Sequence, residues 1–580
     1  MKKKELFFLF LLIVFGFALR TFGINWDQGY HLHPDERAIL LFAIPLHFPA
    51  SLKDFLSPQS PWNPHFFAYG SFPLYLLKIV SLIVGIVNKP ALGYDGILYV
   101  GRYISAIADT ATIAVLFFLA KKLFGKKVGF LAAFFYALST LPLQLSHFYA
   151  VDTMLTFFIT LTIYMLVLFY QKPTRKKALL IGTFFGLSLV TKTSALALIA
   201  SIGIALYIDF FLIFLKNIRN PHVWLAHIPH VIKTLLSDVL LIGITTLAVI
   251  MVGEPYGLID FPTFLSQTLQ QSAMTKDAFT FPYTLQYVGI IPYWYEIKNI
   301  FLWGQGPFLA TMCFIGILVF LWFVLKKTTQ NKRAAEIIIL TFFLAYFLVV
   351  GKFAIGFMRY MLPLYPILCL SGALVMYKFF HVVKRALIPK ELQKLFYIVV
   401  FFWIGVGTLL WPASFLHIYT SPNTRVLASN WMNQHMPTGS KIALEHWDDG
   451  LPLFGQEKFT NLTLPLYDPD TPEKWAGINQ TLSQTDYIII ASNRLYIPLQ
   501  KLTNCNKLPP GRCYPITNLY YQQLFAGKLP FKLIAEFAVY PQIPFTNIRI
   551  NDQGADESFT VYDHPKIMVF QKWENSSKTN

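Results

Sequence analysis

The sequence predicts a polytopic α-helical membrane protein with about eleven spans and a small C-terminal α/β domain outside the cytoplasm. Three observations predict it. The 580 residues are 55% hydrophobic and only 13% charged, about half the charge of an ordinary soluble domain. Apolar stretches of about twenty residues recur up to residue 412, each long enough to cross roughly 30 Å of hydrocarbon as a helix. After Trp411 the composition turns polar.

The first span, near 5–24, follows Met1-Lys-Lys-Lys. Lysines stay on the cytoplasmic side, so this segment exits on the far face. It has the length of a signal peptide, but no small-x-small cleavage pattern follows it, and it reads as an uncleaved span. Further spans are expected near 98–120, 128–145, 152–170, 178–195, 196–215, 235–253, 300–325, 334–351, 359–380 and 395–412. Thr191-Lys192-Thr193 alone separates 178–195 from 196–215. Basic residues occupy alternate loops: Lys121, Lys122, Lys126 and Lys127; Lys172, Arg175, Lys176 and Lys177; Lys216 and Arg219; Lys326, Lys327, Lys332 and Arg333; Lys384, Arg385, Lys390 and Lys394. Dropping one member of the 178–215 pair would invert every later loop, so both are kept. This positive-inside pattern absorbs the net charge of +18, which reads as orientation and anionic-lipid contact in the plasma membrane rather than nucleic-acid binding.

The topology leaves a long first outer loop, about 25–97. Its run Pro61-Trp62-Asn63-Pro64-His65-Phe66-Phe67-Ala68-Tyr69-Gly70 suits the headgroup level, where amphipathic rings collect. A second outer loop spans about 254–299, and a short third holds Gly351-Lys352 and Arg359-Tyr360. The domains are therefore a membrane module, 1–412, and an extracytoplasmic domain, 413–580. In the latter, strand-like runs at Lys441-Ile-Ala-Leu and Asp486-Tyr-Ile-Ile-Ile alternate with helix-like segments such as Arg425–His435. Cys313 and Cys369 lie in apolar runs; Cys505 and Cys513 bracket a polar loop, and whether they join is left open.

The charges that cannot be explained as loop signals carry the chemistry. His33-Pro34-Asp35-Glu36 follows the first span directly. In an extended loop, adjacent side chains point to opposite sides, so one carboxylate faces substrate while the other meets a neighbouring cation. A carboxylate beside a bound alcohol accepts its proton as the oxygen attacks carbon; the plainer reading is a solvated acidic loop. Asp152 stands among Phe148, Tyr149, Val151 and Met154 at the mouth of an apolar helix, as a site acid or as a helix cap. Arg102 and Arg359 begin spans on the same face, and Lys192 joins them; they bind a phosphate headgroup or merely snorkel to the interface. Glu254 and His33 are accessory candidates, without the multi-ligand spacing of a metal site. No Walker loop, dinucleotide-binding glycine pattern or nucleophile elbow is present in the sequence.

Asp35-Glu36 after the first span, Gly101-Arg102 opening the second, Ser146-His147-Phe148…Asp152 before the fourth and Arg359-Tyr360-Met-Leu-Pro-Leu-Tyr-Pro at the tenth resemble the protein O-mannosyltransferase superfamily. That superfamily includes the aminoarabinose transferases and related polyprenyl-phosphate-sugar glycosyltransferases of the GT-C fold. The resemblance covers about the first 200 residues. It implies a GT-C membrane glycosyltransferase that takes a sugar from a polyprenyl-phosphate donor, inverts its anomeric centre and hands it to a glycan, lipid or protein acceptor. Asp35 would be the general base or acceptor-orienting acid, Glu36 and Asp152 would shape the site, and Arg102, Arg359, Tyr360 and Lys192 would hold the lipid phosphate. No cofactor is expected, and a divalent metal has no ligand spacing to support it. The alternative is a transporter or flippase for a polyprenyl lipid, a class that favours midplane polar groups and repeated halves.

Overall fold

The computed structural model describes residues 3–216, 220–325, 333–385 and 389–573. Arg219, Lys326, Lys327 and Lys332 of the basic loops lie outside the described residues. Helices fill the chain to Phe415, and a five-stranded sheet lies beyond it. Among the described residues four helices are long and apolar enough to cross a membrane: Tyr94–Phe124, Asp152–Gln171, Leu236–Gly253 and Met358–Arg385. Shorter apolar helices are Phe72–Gly85, Thr193–Ile208, Pro307–Trp322 and Ala334–Val350. Helix stands at each expected span position, while length and apolarity alone qualify these four.

Several of the expected spans are broken, each for a local reason. The 128–145 run divides into Lys126–Ala137 and Thr140–Leu145, because Ser139 is extended (φ −70°, ψ 125°). The 300–325 run opens with a π turn, Ile300–Gly304, and restarts at Pro307 after Gly306 at φ +77°. The 359–380 run starts as a 3-10 turn, Met358–Leu364, that includes Pro363; proline offers no N–H to an α-helical ladder. The 25–97 stretch, read as a loop, carries Pro34–Ala43, Leu52–Phe55 and Phe72–Gly85. The last has only 14 residues, too few to register as a span.

Buried charge pairing ties the bundle. Arg20, on the helix Lys3–Thr21, donates from Nε to Asp109 Oδ2 at 2.6 Å, and the Tyr136 hydroxyl donates to the same carboxylate at 2.5 Å. Charge is tolerated inside a bundle when it is paired in this way.

The sheet runs in the order β2-β1-β3-β5-β4, from β1 Lys441–Glu445, β2 Thr460–Leu464, β3 Tyr487–Ile490, β4 Phe531–Phe537 and β5 Ile567–Lys572. β1 is parallel to β2 and β3, whereas β5 is antiparallel to β3 and β4. Every residue of β3 is buried, as a central strand requires. Cys505 and Cys513 form a disulfide, their Cα atoms 5.2 Å apart; Cys313 and Cys369 are free and buried.

Candidate active site

The helix Pro34–Ala43 places the acidic pair. Pro34 occupies its first turn, and His33 caps it by accepting from the Glu36 amide at 3.3 Å. Two acids in a first turn also suit the positive end of a helix. Asp35 and Glu36 are therefore helical rather than extended, which corrects the loop expectation. At 3.6 residues per turn their side chains diverge by about 100°, and they enter two different surroundings.

Asp35 accepts from Arg359 Nη1. Tyr69 stands close enough to Asp35 to favour its charged form. Arg359 Nε lies 3.9 Å from Asp152 Oδ2, and Lys192 Nζ lies 2.7 Å from Asp152 Oδ1. Lys192 sits 4.5 Å above the Tyr360 ring, and Arg359 lies 4.9 Å from the Phe357 ring centre. Asp35, Arg359, Asp152 and Lys192 thus form one alternating chain of charges from four separate segments, with Tyr360 beside it. Burial opposes the Asp35 charge, but the Arg359 guanidinium beside it outweighs burial and, with smaller contributions from its neighbours, holds its carboxyl below the usual range. Asp152 begins the helix Asp152–Gln171 without capping it; its carboxylate serves Lys192 instead. Arg359 is buried and paired, so interfacial snorkelling does not describe it.

Glu36 and Arg102 stand elsewhere, in a closed cluster. Arg102 donates from Nε and Nη2 to Glu36 (3.0 and 2.8 Å), from Nη1 and Nη2 to Asp27 (2.9 and 2.7 Å), and from Nη1 to the Ile24 carbonyl (2.8 Å). A guanidinium has five N–H donors, and these five bonds engage them all. The Tyr149 amide donates to Glu36 at 2.9 Å, and Trp26 lies 5.0 Å from the guanidinium. The side chains of Arg102, Asp27 and Glu36 are wholly buried. Gly101 permits the approach, since a Cβ there would lie 2.7 Å from the Tyr149 ring. Arg102 and Glu36 accordingly brace the first turn of the helix and do not meet the Asp35–Lys192 chain.

His33 is buried between Phe148 and Tyr562, with ring centres 4.5 and 4.2 Å away. Burial keeps its imidazole neutral, pushed down to about 3. Glu254 accepts from the Ser71 amide and hydroxyl at 2.7 and 2.9 Å, and burial pushes its carboxyl up to about 7 despite these bonds. It anchors a strap: the Gly70 amide donates to the Thr191 carbonyl at 3.2 Å, and a Cβ on Gly70 would fall 1.7 Å from the Val190 oxygen. That strap sets Tyr69 toward Asp35. His33 and Glu254 do not converge as metal ligands, and among the described residues no group of three or more His, Cys, Asp or Glu is placed to hold a metal ion.

A cavity of about 1410 Å³ adjoins the charge chain, with Tyr69, Lys192, Glu254 and Tyr360 in its wall. Its other walls include Leu196, Leu348 and Val349, which are exposed apolar side chains. Sequence reasoning missed Asp27, Tyr69 and Tyr562. Tyr69 lay in the aromatic run 61–70, whose composition signals an interface without singling out one ring.

A family model described as dolichyl-phosphate-mannose-protein mannosyltransferase matches residues 96–236. No curated protein matches the chain in sequence. Among solved structures, the Archaeoglobus fulgidus oligosaccharyltransferase tethered with an acceptor peptide is 14% identical, with a TM-score of 0.51 over 99% of this chain and 89% of that one. The A. fulgidus oligosaccharyltransferase AglB, in complex with an inhibitory peptide and a dolichol-phosphate, is 13% identical, with a TM-score of 0.50 over 98% and 88%. ArnT from Cupriavidus metallidurans in the apo state is 12% identical, with a TM-score of 0.44 over 86% of this chain and 95% of that one. The chain thus shares its overall fold with these oligosaccharyltransferases, and the family match lies inside that fold.

Proposed function

We propose that the protein transfers a sugar from a polyprenyl-phosphate donor to an acceptor at the extracytoplasmic face of the membrane, with inversion and with Asp35 as general base. The observation that carries this reading is the Asp35–Arg359–Asp152–Lys192 chain at the edge of a large, mainly apolar cavity. The cavity suits a polyprenyl chain, and the cations beside it suit the phosphate at its head. Asp35 and Arg359 neutralise each other. A donor phosphate competes for Arg359 and Lys192 and so releases the Asp35 carboxylate. The acceptor hydroxyl then gives its proton to Asp35 as its oxygen bonds to the anomeric carbon. The bond from that carbon to the phosphate oxygen breaks, and its electron pair leaves with the lipid phosphate, where Arg359 and Lys192 stabilise it. Tyr360 holds Lys192 from the ring side, and Asp152 aligns both cations.

In this reading the eleven spans form the membrane module 1–412, oriented by the basic loops with the N-terminus cytoplasmic, and 413–580 is the extracytoplasmic domain. The test supplies purified protein in nanodiscs with a panel of polyprenyl-phosphate sugars and candidate acceptors, and identifies products by mass spectrometry. A glycosylated acceptor with the opposite anomeric configuration is expected. Lipid translocation without transfer from any donor would replace this reading with transport.

A further inference from the structure

The segment Asp556–His564 belongs by sequence to the sheet-bearing part of the chain, yet it is held from both sides. From the helical part, Gln144 donates to the Phe559 carbonyl and to Asp563 at 2.8 and 2.9 Å, and Tyr295 donates to Asp556 at 2.7 Å; the hydroxyl of Tyr419, just past the last of those helices, donates to Asp563 at 3.0 Å. From the other side, Arg425 donates to the Val561 carbonyl at 2.7 Å, and Asn423 donates to the carbonyls of Tyr562 and Asp563 at 3.2 and 3.0 Å. His564 is clasped between Asp552 and Asp563. The backbone around Tyr562 therefore has little freedom.

That wedge delivers one ring to the candidate site. Tyr562 packs 4.2 Å from His33, centre to centre, and 6.2 Å edge-on from Phe148, with the Arg494 guanidinium 5.6 Å from its ring. Arg494 Nη2 donates to its hydroxyl at 3.5 Å. His33 in turn caps the helix whose first turn carries Asp35. Tyr562 and Pro34 also line a polar pocket of about 220 Å³, together with Arg37, Trp447 and Asp448. Tyr69, Lys192 and Tyr360 line the large apolar cavity and not this pocket. The first turn of the Asp35 helix thus borders, through Pro34, a polar pocket roofed by the C-terminal part, while Lys192 of the charge chain lines the large apolar cavity.

We propose that Tyr562 is an acceptor-positioning residue: its ring fixes His33 and forms the wall along which the acceptor hydroxyl reaches Asp35 from the polar pocket. The proposal rests on the glycosyltransferase reading. The donor phosphate is assigned to Arg359 and Lys192, which do not line the polar pocket, so a shortened Tyr562 should separate the two substrates kinetically. Misplacement by about 1 Å is enough to cost orders of magnitude in an oriented reaction.

The test uses the full chain in nanodiscs with the donor–acceptor pair that wild-type protein turns over in the panel above, and undecaprenyl phosphate as the donor-side binding probe. Tyr562→Ala is expected to raise the acceptor KM by about tenfold or more, with donor KM and undecaprenyl-phosphate affinity within about twofold. Tyr562→Phe, which keeps the ring, should restore the acceptor KM; Tyr562→Leu supplies the same comparison if the alanine variant does not fold. A wild-type acceptor KM in the alanine or leucine variant overturns the proposal. So does parallel loss of undecaprenyl-phosphate binding, which marks a general structural role. If wild-type protein transfers from no donor at all, the parent reading fails and this one falls with it.

Discussion

Arg359, on the 3-10 turn Met358–Leu364, donates to Asp35, on the helix Pro34–Ala43, across 324 positions of sequence. Neither group is exposed enough to be screened as a surface pair: their side chains are 10% and 22% accessible. Each holds the other in its charged form, and each is also the group that the proposed reaction needs in a different role. In the proposed reaction a donor phosphate would have to open this pair.

Cation loss should register as donor loss. A hydrogen bond to a charged group contributes about 1.5–3 kcal/mol, or roughly ten- to a hundredfold in affinity. Lys192→Ala and Arg359→Gln are each expected to weaken undecaprenyl-phosphate binding in nanodiscs by that range. Wild-type affinity in both variants would remove the cavity edge as the phosphate site.

The Arg102 cluster should behave as a brace. Glu36→Gln leaves a wholly buried guanidinium short of one countercharge, and breaking a buried pair of this kind costs about 3–5 kcal/mol. Thermal unfolding in nanodiscs should show a clear drop in Tm for Glu36→Gln. Asp95→Asn, whose side chain is 86% exposed beside His31, should unfold like the wild type. Equal melting of the two variants would contradict the structural role assigned to Glu36.

Glu254 gives a pH signature with a definite sign. Burial raises its carboxyl from 4.5 to about 7, so between those values the folded chain holds a proton that the unfolded chain has released. Stability then falls as pH rises from about 4.5 to about 7, by on the order of 3 kcal/mol when complete. Glu254→Gln should flatten this part of the stability–pH curve. An unchanged slope in the variant would assign the titration to another group.

Much of the Asp35–Lys192 chain was legible because charge beside apolar helix is costly and therefore informative. Asp35, Asp152, Lys192 and Arg359 each stood out for that reason. Their mutual pairing was not legible, since residues 35, 152, 192 and 359 meet only after four segments have packed. The divergence of Asp35 from Glu36 was partly readable: His33 as a cap and Pro34 in a first turn mark a helix start, but the proximity of the first span favoured a loop. Arg102 shows the limit of reading charge alone. Its sequence position matched a phosphate ligand, and only the structure reveals that Asp27, Glu36 and the Ile24 carbonyl use all its donors. The strand-like runs at Lys441 and Asp486 lie at β1 and β3, while the approach of Tyr562 to His33 left no local trace.

The central claim is that Asp35 takes the acceptor proton, and one variant tests it. Asp35→Asn keeps the side-chain shape and leaves Arg359 for the donor. Single-turnover transfer should fall by about 10² to 10⁴, the usual contribution of a general base, while the protein stays folded and undecaprenyl-phosphate binding is kept or tightened, because Arg359 no longer has to leave Asp35. Wild-type transfer by a folded, lipid-binding Asp35→Asn protein would contradict the account.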